Sequence, residues 1–261
     1  MTRPTAVELS KAGVKVTVAC RTLESAQKLA EGLNNANAIS LDVSNSNALE
    51  KEIAKVDLVI SLIPYTFHAM VIKAAIKEKK DVVTTSYVSE AMMELDQAAK
   101  DAGITVMNEI GLDPGIDHLY AVKTIDEVHK EGGKILGFWS YVGGLPAPEA
   151  SDNPLGYKFS WSPRGVLLAA RNTAHFYEDG QKKTIEGKDL MSNAKPYLIY
   201  PGYAFEAYPN RDSTPYKERY NIPEAKTIIR GTLRYQGNPS LVQTFRDIGM
   251  LSEGKHDFLT T

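Results

Sequence analysis

The strongest constraint on the fold is a repeated unit in the first 115 residues: a short continuous apolar run, a polar turn, then a segment with helical spacing. "GVKVTVACRT" gives the run Val14 to Cys20, and Glu24 to Leu33 then carries Ala26, Leu29, Ala30 and Leu33 at helical intervals. "AISLDV" (Ala38 to Val43) precedes a helix from Ala48 to Lys55, and "VDLVISLIP" (Val56 to Pro64) precedes one from Phe67 to Lys79. "KDVVTTSY" (Lys80 to Tyr87) leads into Ser89 to Ala102, after which comes "ITVMNEIGLDPG" (Ile104 to Gly115). Runs of Val, Ile and Leu that do not alternate with polar residues are the mark of strands buried on both faces, and helical crossovers are what parallel strands require. The expected fold class is therefore α/β, a doubly wound parallel sheet.

Within that class the opening run has a defined place. A strand ending in Cys20-Arg21-Thr22 and followed at once by a helix is the second βα step of a nucleotide-binding fold. Only a helical segment precedes it here, so the expectation is a Rossmann-like sheet lacking its first strand and the glycine loop that cradles a pyrophosphate.

In such sheets ligands bind outside the carboxyl ends of the strands. Those ends are Cys20-Arg21-Thr22, Asp42-Val43, Leu62-Ile63-Pro64-Tyr65, Thr85-Ser86-Tyr87 and Ile110-Gly111-Leu112-Asp113-Pro114. An acid after the second strand would hold the 2′-hydroxyl of NAD, whereas an arginine can grip a 2′-phosphate with two parallel hydrogen bonds. Arg21 thus points to NADP(H), with Cys20, Arg21, Thr22, Asp42, Val43, Ile63, Thr85, Ser86, Leu112, Asp113 and Pro114 as the candidate cofactor rim. Asp42 can also cap the helix that follows it.

From about Leu119 the pattern changes. "ILGFWSYVGGLP" (Ile135 to Pro146), "PYLIYPGYAFEAYP" (Pro196 to Pro209) and "KTIIRGTLRYQG" (Lys226 to Gly237) are rich in strand formers, while Ser162 to Gly180 reads as a helix and its exit. The expected division is residues 1–118, an NADP(H)-binding domain, and 119–261, a substrate-binding α+β domain, with a ligand cleft between them.

Composition narrows the partners. The 261 residues carry a formal net charge of −2, which gives no electrostatic argument for nucleic acid or a membrane surface. No apolar run is long enough to span a bilayer. The single cysteine, Cys20, excludes an intrachain disulfide and suits a reducing compartment such as the cytoplasm. Five histidines without paired ligand spacing make no case for a metal. A small-molecule substrate is expected, and homodimer formation is left open.

Several segments carry a family likeness: "ISLIPYTFHAMV", "VVTTSYVS", "ITVMNEIGLDPGIDHLYAVKTIDEVH", "GGLPAPEASDNPLGYKFSWSPRGVLLAARN", "AKPYLIYPGYAFEAYPNRDSTPYKERYNIPEA" and "IIRGTLRYQG". Together they resemble saccharopine dehydrogenase of the NADP, L-glutamate-forming type, also called saccharopine reductase, over nearly the whole chain. The resemblance implies an oxidoreductase of lysine biosynthesis that interconverts saccharopine, NADP⁺ and water with glutamate, 2-aminoadipate 6-semialdehyde and NADPH. It implies that Asp113 and Tyr87 are the catalytic acid–base groups, and that Ser86, Tyr87, Asp113, Arg211, Thr232, Leu233 and Arg234 contact the substrate. A tricarboxylate needs arginines, whose planar forks match carboxylates; Arg164 is a further candidate, with a surface ion pair as its plainer role. His118, on an expected helix, is read as structural.

The likeness has three departures. It begins at "TRPT", after the place of the family's glycine loop; Val142 stands where the family usually has a cysteine; and the family runs on beyond Thr261. The expectation that follows is weak NADPH binding and poor turnover by these residues in isolation, with a catalytically impaired fragment or non-catalytic partner of a full-length relative as the alternative.

Overall fold

The computed structural model describes residues 2–254, which form two compact units divided after Leu119. The first unit opens with α1 (Thr2–Lys11), then alternates β1 (Val16–Cys20), α2 (Leu23–Ala30), β2 (Ala36–Ser40), α3 (Ser46–Ile53), β3 (Leu58–Ser61), α4 (His68–Glu78) and β4 (Asp81–Thr84). Two short helices, α5 (Glu90–Met93) and α6 (Asp96–Ala102), lead to β5 (Val106–Met107), and α7 (Ile116–Lys130) runs through the division between the units.

All strand pairs of this unit are parallel, as the crossover helices require. They do not form one continuous sheet. β1 pairs with β2, and separately β3 pairs with β4 and β4 with β5. β1 and β3 therefore each have one edge with no strand partner among the described residues. The expected two-sided burial is corrected accordingly: in β1 only Val18 is buried, and Leu58 of β3 is 47% exposed.

Core formation is strongest around α3 and α4. Leu49 and Ile53 of α3 meet Val71, Ile72, Ala74 and Ala75 of α4 and Val82 of β4. Helix starts follow local capping chemistry: Thr22 accepts the Ser25 amide at the start of α2, and Asn45 accepts the Ala48 amide at 3.1 Å at the start of α3. The capping role expected of Asp42 thus falls to Asn45; Asp42 instead accepts from the Ser44 amide and hydroxyl in a turn. The single helix expected over Ser89 to Ala102 is two, because the Leu95 amide turns to the Met92 carbonyl in a tighter step and interrupts the helical ladder.

The second unit holds a six-stranded mixed sheet of β6 (Gly137–Val142), β7 (Ala174–Glu178), β8 (Gln181–Ile185), β9 (Lys195–Pro196), β10 (Phe205–Pro209) and β11 (Thr227–Tyr235). Around it lie α8 (Pro163–Ala169), α9 (Tyr216–Arg219) and α10 (Asn238–Asp247). β11 is its spine, parallel to β6 and antiparallel to β10 and β7, and its residues Thr227 to Leu233 are all buried. The exit expected after the helix of Ser162 to Gly180 is in fact β7, the first arm of a hairpin. Asp179 and Gly180 both have positive φ, 53° and 80°, the pair that a two-residue turn between twisted strands demands.

Candidate active site

Within the first unit, the carboxyl ends of β4 and β5 are tied together by side chains. Thr84, the last residue of β4, donates to the Asn108 side-chain oxygen at 2.9 Å, and the Ile110 amide donates to the Thr84 carbonyl at 2.9 Å. The segment after β5 is thereby held against Thr85-Ser86-Tyr87. Across that seam the Tyr87 hydroxyl donates to Asp113 Oδ1 at 2.7 Å. A phenol and a carboxylate in direct contact form a unit that can pass a proton to or from a bound ligand.

Glu109 holds the same seam from beneath. It is 6% exposed; one carboxylate oxygen accepts the Val88 amide at 3.1 Å, and the other lies 2.8 Å from His118 Nε2. Its φ of 61° is unusual for a side-chain-bearing residue, a conformation that persists only where the surroundings over-determine it. The Glu109 brace has no periodic signature, and sequence reasoning missed it.

The loop that presents Asp113 closes through backbone bonds: the Gly111 amide donates to the Pro114 carbonyl, and the Ile116 amide to that of Gly111, each at 2.9 Å. The Asp113–Pro114 peptide is cis. A Cβ at Gly115, whose φ is 151°, would sit 2.0 Å from the Gly111 carbonyl oxygen, so the turn needs glycine.

His68 lies behind this rim with no exposed surface. Its Nδ1 is 2.8 Å from the Ser61 hydroxyl and its Nε2 is 2.8 Å from that of Ser86. Burial depresses its pKa, favouring the neutral ring.

At the end of β1, Arg21 is exposed and its guanidinium makes no hydrogen bond among the described residues, so its donors are available to an anion. Thr22 and the first turn of α2 follow directly. The Arg21 carbonyl accepts from the Ser40 hydroxyl at 2.9 Å, fixing the turn to β2. The Asp42 carboxyl is held below the usual carboxylate range by the Ser44 hydrogen bonds, with the Arg21 charge as a smaller cause. Val43 and Ile63 are half-buried and pack on the α3–α4 core, so their side chains serve packing. Cys20 is a free, half-buried thiol. Leu112 is 68% exposed beside Asp113.

In the second unit, alternation along β11 separates three predicted substrate residues. Leu233 packs with Phe205 and Ala207 on one face. Thr232 and Arg234 serve the other face, where Thr232 stands in register with Tyr208 of β10. The Arg234 guanidinium lies 4.8 Å from the centre of the Tyr157 ring and lines a cavity with Phe159, Leu167, Met191 and Asn238. Val142 ends β6 in register with Thr232. Arg211, with φ 55°, follows β10, and its carbonyl accepts the His175 amide at 2.8 Å. Arg164 pairs with Glu253 at 2.6 Å with both side chains exposed, its plainer role. Arg230, 7% exposed with its guanidinium 4.6 Å from the Tyr216 ring centre, is a buried cation that sequence reasoning did not single out.

Comparison with known proteins joins these observations. Residues 1–107 match the model of the saccharopine dehydrogenase NADP binding domain, and residues 111–261 that of the saccharopine dehydrogenase C-terminal domain. The chain belongs to the saccharopine dehydrogenase family. It is 71% identical over 259 residues to saccharopine dehydrogenase [NADP(+), L-glutamate-forming] of Pyricularia oryzae, covering 99% of this chain and 58% of that protein. The corresponding Saccharomyces cerevisiae protein is 63% identical, over 95% of this chain and 55% of its own length. The structure of apo saccharopine dehydrogenase (L-Glu forming) from S. cerevisiae superposes with a TM-score of 0.87 at 62% identity, covering 98% of this chain and 57% of that one. The chain therefore spans less than three-fifths of the length of these saccharopine dehydrogenases.

Proposed function

We propose that this chain carries NADP(H)-binding and substrate-binding parts of a saccharopine dehydrogenase (NADP⁺, L-glutamate-forming). The reaction is L-saccharopine + NADP⁺ + H₂O giving L-glutamate + 2-aminoadipate 6-semialdehyde + NADPH + H⁺, a step of lysine biosynthesis. The Tyr87–Asp113 contact at 2.7 Å carries the reading, because it supplies an acid–base pair on the rim where a Rossmann-type unit takes its coenzyme.

The residues present fit the coenzyme. Arg21 offers donors to a 2′-phosphate, and Cys20, Thr22, Asp42 and Val43 lie at the ends of the same two paired strands. Thr85, Ser86, Leu112 and Pro114 flank Tyr87 and Asp113. Bound there, the nicotinamide supplies hydride exchange at the carbon of the substrate's C–N bond. Cleavage of saccharopine also needs a proton removed from the amine and from an attacking water, and a proton delivered to the departing amine of glutamate. Asp113 takes these protons in turn, returns one to the departing amine and passes the other to solvent, and Tyr87, donating to its carboxylate, orients it and relays to the substrate nitrogen. Arg211 and Arg234 suit the substrate carboxylates, Thr232 adds a hydroxyl, and Leu233 shapes the strand that presents Thr232 and Arg234. Lone Cys20 favours a cytoplasmic setting; homodimer formation belongs to the same proposal.

The test is an NADPH-coupled assay with glutamate and the semialdehyde. The reading expects NADPH consumption with these substrates, and Asp113→Asn should lower kcat by on the order of a hundredfold or more. Unchanged kcat in Asp113→Asn would refute the assigned chemistry.

A further inference from the structure

His68 begins α4 on the same helical stripe as Val71, Ile72 and Ala75, yet it is an imidazole, bridging the hydroxyl that ends β3 to one that lies just past β4. Packing alone does not require a polar ring at that position. The direction of its two hydrogen bonds can be worked out from the groups around it.

A neutral imidazole has one donor and one acceptor. Ser61 is 4% exposed, and among the described residues its hydroxyl has no hydrogen-bond partner except His68 Nδ1. A buried O–H left without an acceptor is strongly disfavoured, so Ser61 donates to Nδ1. The ring proton then resides on Nε2 and is donated to Ser86 Oγ. Burial, by keeping the ring neutral, agrees with this assignment. Ser86 thus has one lone pair engaged from inside, while its own proton has no acceptor among the described residues.

We propose that His68 is a positioning residue that, through the chain Ser61 O–H to Nδ1 and Nε2–H to Ser86 Oγ, makes the Ser86 hydroxyl an outward donor to a substrate carboxylate oxygen. The choice of a carboxylate rests on the proposed function above. Ser86 adjoins Tyr87, whose hydroxyl meets Asp113, and a hydrogen bond to an anion is about twice as strong as one between neutral groups. His68 touches neither substrate nor coenzyme; it fixes which way the Ser86 hydroxyl dipole points.

Two measurements test this on the chain as it stands. The first is a long-range proton–nitrogen correlation spectrum of the nitrogen-15-labelled protein, with the His68 ring assigned by its disappearance in His68→Gln. The proton is expected on Nε2; an Nδ1–H ring would overturn the inference whatever the protein binds. The second is calorimetric titration with saccharopine. Ser86→Ala and His68→Phe should each weaken binding on the order of tenfold, and the double variant should lose no more than either alone. His68→Gln, whose amide can reach Ser86 as a donor, should recover most of the loss. Additive losses, or no recovery in His68→Gln, would overturn the proposal. Failure of the parent chain to bind saccharopine would sink the functional reading and with it the carboxylate as acceptor, while the spectrum would still decide the direction of the serine–histidine–serine chain.

Discussion

Asp113 reaches Tyr87 because a backbone turn with no room for a side chain brings it there. Gly115 closes that turn with its hydrogen positioned where any Cβ would strike the Gly111 carbonyl oxygen. Gly115→Ala is therefore expected to destabilise the first unit by more than about 1 kcal/mol, read as a lower denaturation midpoint, and to weaken catalysis together with stability. A wild-type midpoint would show that the turn relaxes at no cost. The places of Arg21 and Asp113 in turns that follow parallel strands were legible beforehand, from the alternation of apolar runs and helical segments. Glu109 and His68 were not singled out, for different reasons. Glu109 works through a left-handed backbone and a long-range amide contact, neither of which leaves a pattern in the sequence. His68 did leave one, a polar ring on the apolar stripe of "HAMVIKAA", where it is buried.

At the scale of elements, parallel crossovers were readable wherever an apolar run and a helical period alternated, and misplaced where local chemistry overrode the period. The β7–β8 hairpin is set by Asp179-Gly180, a turn signal stronger than the helical reading of its neighbourhood. β2 begins two residues earlier than its apolar pattern suggested, because Ala36 pairs with Val16 in the parallel register. An element-scale contact also sets a pH dependence. Glu224 accepts the Ile135 amide at 3.0 Å and lies 2.8 Å from His129 near the end of α7, tying that helix to the segment before β6. The amide bond, and then His129, lower its pKa from 4.5 to about 2. A carboxylate whose folded pKa is depressed contributes stability above its unfolded pKa and loses it as pH falls toward the folded value. The thermal midpoint of wild type should exceed that of Glu224→Gln near pH 7, and the difference should shrink as pH drops from about 4.5 toward 2. A difference independent of pH would place the effect in packing instead.

For the whole molecule, the two units answer different demands. The first is a parallel α/β framework whose strands end in polar turns, and the second is a mixed sheet built on the buried strand β11, which carries Thr232, Leu233 and Arg234. Both units fall within the saccharopine dehydrogenase family, and the chain spans 58% and 55% of the two fungal relatives described above. On the proposed function, the strand-end rim of the first unit selects a phosphorylated nicotinamide coenzyme through Arg21. Calorimetric titration of the chain with NADPH and with NADH, repeated on Arg21→Ala, tests it most directly. The account predicts tighter binding of NADPH than NADH, with Arg21→Ala weakening NADPH by on the order of tenfold to a hundredfold and leaving NADH nearly unchanged. Equal affinity for the two coenzymes, or an NADPH preference that survives Arg21→Ala, would contradict it.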